Sequence, residues 1–246
     1  MALINRQTLK NYFKKGGFAT EKHFEDLIDS SINAVDDGIT INKEDGFKLT
    51  SPDKSTKLLS FYNKSNQDHA DFSLNIKHEG NVGLFVKSQE SNPALTITPF
   101  NKIGVNKATP EYDLDVNGTI GYKHKIGTYA VGSVPADGSW HTIISELDGV
   151  KSFEINALAA GKVGKGYYAA CHAIAISTFG GRLSRSKIKL TQAHFESFRN
   201  KIQLRWRGDM HNFRLEIRTR RNYGVDDKTG DAFKIKFNVT DLSIKL

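Results

Sequence analysis

The alternation near the C-terminus constrains this chain most. Phe233, Ile235, Phe237 and Val239 alternate with Lys234, Lys236 and Asn238. A period of two puts successive side chains on opposite faces of an extended strand, which a helix cannot do. The same rhythm appears earlier. Leu204 and Trp206 share one face and Arg205 and Arg207 the other; after a turn at Gly208 and Asp209, Phe213, Leu215 and Ile217 alternate with Arg214, Glu216 and Arg218, and Arg220 and Arg221 follow. This pattern predicts an antiparallel hairpin with an apolar inner face and an arginine-rich outer face. Runs at 140–144 and 152–157 read as further strands. The run at 168–177 has small or apolar residues on both faces, which predicts a central strand. The run at 188–198 is read as strand. Six or seven antiparallel strands over 121–246 predict a β-sandwich or jelly-roll-like head.

Ahead of this head the chain is thinner. Residues 39–107 read as short strands separated by turn signals such as Asp45-Gly46, Ser51-Pro52, Glu79-Gly80 and Asn92-Pro93. Apolar content over the whole chain is 38%, below the ~45–50% usual for globular domains. One copy of such a segment buries little area. Three copies wound about one axis bury more, because each inward side chain then meets neighbours from the other two. The alternative is a small open sheet resting on the C-terminal part. Before it, Leu9, Tyr12 and Phe13 within residues 3–18 form an amphipathic arm ended by Gly16-Gly17. Thr20 caps a second helix, whose apolar stripe runs through Phe24, Leu27, Ile28, Ile32 and Val35 for about four turns to Asp37-Gly38. A helix this short must pack on something.

Between the thin region and the head lies the stretch from Ala108 to Ile120. Thr109-Pro110 sets a turn, Leu114 and Val116 face one way on a strand, and Asn117-Gly118 turns again. Preceded by Leu95 to Thr98 and Lys102 to Asn106, the stretch resembles the neck segment of trimeric tail fibres of phages and phage-derived contractile injection particles. The head resembles the globular tip of such fibres at residues 137–141, 147–149, 153–155, 172–175, 205–208 and 214–220. The resemblance implies a mainly β homotrimer in three parts. These are an N-terminal helical attachment segment at 1–38 for a baseplate or tail protein, an intertwined turn-rich β shaft and neck at 39–120, and an antiparallel β-sandwich receptor-binding tip at 121–246. It implies binding, not catalysis, and no cofactor.

Charge then points to the target. Residues 1–119 carry 14 Lys+Arg against 16 Asp+Glu, and residues 120–246 carry 21 against 11. The basic half is therefore the half that meets an anionic partner. Arg205, Arg207, Arg214, Arg218, Arg220 and Arg221, with Arg182 and Arg185 on a loop, offer forked donors for phosphate or carboxylate. Trp140, Tyr167, Tyr168 and Tyr223 lie on or near turns, where rings stack on sugars. An anionic cell-surface glycan or lipopolysaccharide fits this set. Two other readings of the face stay open: a solvated sheet with Arg–Glu ladders, and pairing between subunits. Nucleic acid suits the charge, but no recognition-helix or RNA-binding motif accompanies it.

Other chemistries lack their patterns. There is one cysteine, Cys171, so no intrachain disulfide forms, and its small apolar neighbours predict a buried structural thiol. No histidine pair has zinc-protease spacing, although folding can still gather His141, His172 and His211. There is no Gly-x-Ser-x-Gly element, and the glycine-rich run at 161–166 departs from a phosphate-binding loop. Carboxylates at Glu146, Asp148, Glu154, Glu196, Asp209 and Glu216 leave a glycan-degrading enzyme as the competing reading. A purely structural baseplate or capsid role is a third. No run of about 18 apolar residues spans a membrane. The N-terminus has no signal-peptide form, which predicts synthesis in the cytoplasm and action outside the cell as part of a particle.

Overall fold

The computed structural model describes residues 4–33, 36–51, 55–64, 67–89 and 92–244. The chain divides into two compact units, Met1–Gly121 and Tyr122–Leu246. It is mainly β, with several antiparallel sheets and no closed barrel among the described residues. Among those residues no helix is long and apolar enough to cross a membrane.

The first unit opens with two short helices, α1 (Arg6–Tyr12) and α2 (Glu21–Asp29). The Asn5 side chain caps α1 by accepting from the Thr8 N–H at 3.0 Å. The helices meet where Tyr12 stacks on His23, ring centroids 4.0 Å apart, and donates to Asp26 at 3.2 Å. The second helix is shorter than its apolar stripe predicts. It ends at Asp29, Ile32 lies beyond it, and Val35, Pro52 and Leu3 lie outside the described residues. The Ser31 hydroxyl donates back to the Leu27 carbonyl at 2.9 Å, the local competition by which serine unwinds a helix end.

Two strands, β1 (Ile39–Asn42) and β2 (Gly46–Leu49), form a hairpin. Then comes a six-stranded sheet in chain order: β3 (Lys57–Phe61), β4 (Phe72–His78), β5 (Asn81–Lys87), β6 (Leu95–Ile97), β7 (Ile103–Val105) and β8 (Leu114–Val116). Its register produces one unbroken apolar row, with Leu59 opposite Leu74, Leu74 opposite Val86, Val86 opposite Leu95, Leu95 opposite Val105 and Val105 opposite Val116. A parallel row runs Leu84, Ile97, Ile103, Leu114. These rows share a face that is only partly covered: Leu114 is 60% exposed, Ile97 40% and Phe61 and Phe72 50% each, while Leu74, Leu84, Val86, Leu95 and Val116 are partly buried. The opposite face holds Ser73, Asn75, Phe85 and Thr96, and those are the buried ones. The apolar side of this single layer thus faces outward, opposite to the usual arrangement of a one-sided sheet.

The stretch from Ala108 to Ile120 is not a hairpin. Strand β8 pairs with β7 in parallel, so the chain must cross over between them. It crosses directly over Gly104, where an added Cβ would sit 2.3 Å from the Lys107 carbonyl. Asp115 pins the crossover by accepting from Lys107 Nζ and from the Glu111 N–H, both at 2.8 Å. The Lys107 hydrogen bond, followed by that of Glu111, holds the Asp115 carboxyl below its usual range. The residue types of this short motif therefore divide the structural work. Its aliphatics line the open face, its glycine permits the crossing and its aspartate clamps it.

The second unit is a two-layer β-sandwich. Its strands are β9 (Ala130–Pro135), β10 (His141–Leu147), β11 (Val150–Ala160), β12 (Tyr168–Thr178), β13 (Lys187–His194), β14 (Ile202–Asp209), β15 (Asn212–Thr219) and β16 (Lys234–Asp241). A five-stranded sheet has the order β13-β12-β11-β16-β9, and a three-stranded sheet the order β10-β15-β14. The alternating apolar residues of both sheets meet in one core. Phe153, Ile155, Ile235 and Val239 come from the larger sheet, and Ile202, Phe213, Leu215 and Ile217 from the smaller. Cys171 is buried there, and burial pushes its thiol up to about 11, so it stays protonated. Strand β12 does lie between two neighbours. Its two faces differ, however: Ala169, Cys171, Ala173 and Ala175 are buried, and Tyr168 and His172 face out. The β14–β15 hairpin turns at Met210 and His211, not at Gly208-Asp209; Asp209 pairs with Asn212 and His211 adopts a φ of 64°.

Candidate functional site: an arginine and aromatic face

The outer face of the three-stranded sheet carries the arginines. In β14 and β15 the alternation turns Arg205, Arg207, Arg214 and Arg218 away from the core, and Arg220 continues the series. Five arginines outnumber Glu216 and, at the hairpin end, Asp209, and leave this face basic. Register places Arg205 opposite Glu216, Arg207 opposite Arg214 and Gln203 opposite Arg218. Two like charges facing each other at 207 and 214 are unfavourable unless counter-ions or a ligand lie between them.

Glu216 organises the centre. It is 4% exposed although it points outward, because the guanidinium stems cover it. Its two oxygens accept from Arg205 Nε and Arg214 Nε, each at 2.6 Å. Arg218 Nε donates to Gln203 at 2.9 Å. The Nη groups of these three arginines have no hydrogen-bond partner among the described residues. Each guanidinium is thus held by its inner edge and presents its outer fork. The Arg–Glu ladder is present, and it orients the forks.

Trp140 completes the cluster. It stands at the entry to β10, positioned by a tight turn in which Asp137 accepts from the Ser139 N–H at 2.8 Å and from His141 Nε2 at 2.9 Å. The Arg205 and Arg218 guanidiniums lie 4.1 and 4.3 Å from the Trp140 ring centroid. Such cation–π contacts hold an arginine in place without using its donors. Two smaller pairs flank the strands: Arg220 over Phe198 at 4.8 Å, and Arg221 over Tyr167 at 4.6 Å with a hydrogen bond to its hydroxyl at 3.2 Å.

The remaining predicted site residues separate. Arg182 and Arg185 lie on the loop that follows β12. Tyr168 belongs to the outer face of the five-stranded sheet, the other side of the sandwich from the arginines. Tyr223 is no surface residue. It is 2% exposed, and its hydroxyl donates to the Asn200 carbonyl at 2.6 Å, so it is a core tyrosine with a satisfied polar end. Burial pushes its hydroxyl up to about 12. Gln203 and Phe198 join the face although the sequence does not mark them as site residues. The parity of Gln203 with Arg205 is the signal that places it.

Several histidines and carboxylates of this unit stand in ion pairs. His141 pairs with Asp137, His172 with Glu154 and His211 with Asp148, so the three histidines are not gathered. Among the described residues no group of His, Cys, Asp and Glu is arranged to hold a metal ion. Burial raises the Glu216 carboxyl, but hydrogen bonds from Arg214 and Arg205 outweigh it and the net direction is down. Glu154 is lowered by Lys125 and His172, and Asp148 by His211. A general acid needs the opposite shift.

Glu216→Gln should cost about 1.5–3 kcal/mol, the range for hydrogen bonds to charged groups. Because the folded pKa is depressed, the contribution is present above the unfolded value of about 4.3 and is lost as pH falls through the folded value. Thermal midpoints of the two proteins should therefore differ at neutral pH and converge only once the pH falls below the lowered folded value. A gap that ignores pH would show that the carboxylate is not charge-paired as described.

No protein-family model matches the chain, nor does any curated protein. Among solved structures, the tailspike protein of Acinetobacter phage vB_ApiP_P1 is similar at a TM-score of 0.25 and 14% identity, over 56% of this chain and 26% of that one. The chain thus spans about a quarter of the tailspike's length. A likeness at this level carries no argument about fold or activity.

Proposed function

We propose that the chain is a homotrimeric fibre or adhesin-like protein of a phage tail or contractile injection particle, and that its second unit binds an anionic glycan or lipopolysaccharide on a target cell. The observation that carries this reading is the open apolar face of β3 to β8. Monomeric soluble proteins rarely leave contiguous apolar patches above a few hundred Å² uncovered. Other copies of this chain are the occupants that present a matching face, and the neck-like sequence of β7 and β8 supports three of them. Residues 1–38 then attach the assembly to its particle, 39–120 hold the copies together, and 121–246 recognise the target from outside the cell. The outward forks around Trp140 support an acidic target, and three copies add weak sites through avidity.

The test is binding of the full chain to an acidic and a neutral bacterial polysaccharide across a range of salt. Binding to the acidic polymer alone, weakening as salt rises, is expected. Equal binding to both polymers, or none at all, would contradict the proposal.

A further inference from the structure

A second feature of the 122–246 unit lies at the edge of the arginine face. After β12 the chain turns through Phe179, Gly180 and Gly181, all at positive φ. This loop lies against the tip of the β14–β15 hairpin, where the His211 N–H donates to the Phe179 carbonyl at 2.9 Å. Only glycine permits so close an approach. A Cβ on Gly180 would lie 2.7 Å from Phe213 Cβ, and one on Gly181 2.8 Å from the Met210 nitrogen. Between loop and strand remains a pocket of about 350 Å³. That volume falls within the range of small-ligand sites, roughly 300–1,000 Å³.

The lining of this pocket is rich in donors. Ser184 and Ser186 line it and bond to each other at 2.7 Å; behind them Ser186 bonds to Ser177 at 2.6 Å and Ser184 to Thr178 at 3.3 Å. Four hydroxyls sharing three mutual bonds leave one O–H hydrogen to donate elsewhere. Trp206 also lines the pocket, while its indole N–H is shielded from solvent and has no acceptor among the described residues. A buried donor left unpaired costs about 1–3 kcal/mol. Arg207 is the one ionised side chain in the lining and has no partner among the described residues. The apolar wall comes from Trp206, Phe213 and Ile188.

We propose that this pocket takes a single carboxylate-bearing sugar unit, of the uronic acid kind, within an acidic glycan. The inference rests on the reading of this unit as the glycan-binding one and names the group it holds. Spare donors and one cation match a monoanion with two oxygens. A phosphate monoester, with up to two charges, meets only one guanidinium here. The aromatic wall suits the C–H face of a pyranose ring.

The chain has two tryptophans, so its two indole N–H resonances are readily assigned with Trp206→Phe. Methyl glucuronide added to the full chain should move the Trp206 resonance saturably, and methyl glucoside should not. Arg207→Gln should weaken that titration about tenfold or more while the free resonance keeps its position, which shows the pocket intact. A stationary Trp206, an equal response to the neutral glucoside, or a stronger response to glucose 6-phosphate would overturn the proposal. Binding to acidic polysaccharide separates the two readings. If the polymer binds and Trp206 stays still, the pocket falls and the arginine face stands. If the polymer does not bind but Trp206 moves, the pocket stands and the face falls.

Discussion

Leu95→Asp is expected to reduce the assembled protein to single chains of 27.4 kDa. Leu95 occupies the middle of the apolar row, between Val86 and Val105. Each of the six strands gives the row one aliphatic side chain. Leu59 and Val105 are 40% and 36% exposed and the other four are partly buried already, so completing their burial contributes roughly 0.5 kcal/mol each, about 3 kcal/mol per chain for this row. The second row and the Phe61–Phe72 pair add to this. Association costs about 4–15 kcal/mol, so the margin is small enough for one change to remove it. A buried, unpaired carboxylate costs several kcal/mol more. Ser60→Asp is the control, because Ser60 pairs with Ser73 on the opposite face and should leave the assembly whole. Size-exclusion chromatography with light scattering reads both variants. A Leu95→Asp protein that keeps the mass of the unaltered one would show that the row is not an interface.

The second large effect concerns the arginine face. Reversing Arg218 and Arg220 to glutamate lowers its net charge by four. Neither arginine bonds to Glu216, so the Arg205–Glu216–Arg214 centre stays assembled. Loss of two charge contacts at each copy should weaken binding to an acidic polysaccharide by at least about a hundredfold. The thermal midpoint should change little. Unchanged binding at low salt would remove this face from the account and leave it as a solvated ladder.

Much of this architecture is legible in the sequence because period-two alternation is a strong signal. The inner faces of β14, β15 and β16 and the outward arginines follow directly from it. The central place of β12 is legible from its small residues, and the burial of Cys171 from its neighbours. Other features depend on contacts between distant residues. Which side of the six-stranded sheet is covered depends on where its loops return, and neither Leu95 nor Thr96 announces that. The Gly104 crossover looks like a turn until β7 and β8 are seen to be parallel. Tyr223 reads as a turn aromatic because its partner Asn200 is 23 residues away. The hairpin turn at Met210 and His211 reads two residues early because a glycine normally marks such a place. Gly208 instead serves a close approach within the strand, with Asn212 oxygen 2.5 Å from where its Cβ would be. The candidate site is half visible. Its arginines follow from parity, but the roles of Glu216, Gln203 and Trp140 in aiming them require the register.

The central claim is that the open apolar face is covered by further copies of the chain. The solution mass of the unaltered protein by light scattering tests it most directly. The account predicts a mass of three chains, each of 27.4 kDa, unchanged on dilution into the micromolar range and in high salt. A mass of one chain would contradict it, because the row from Leu59 to Val116 would then stay partly exposed to water; a mass of two would contradict the threefold assembly.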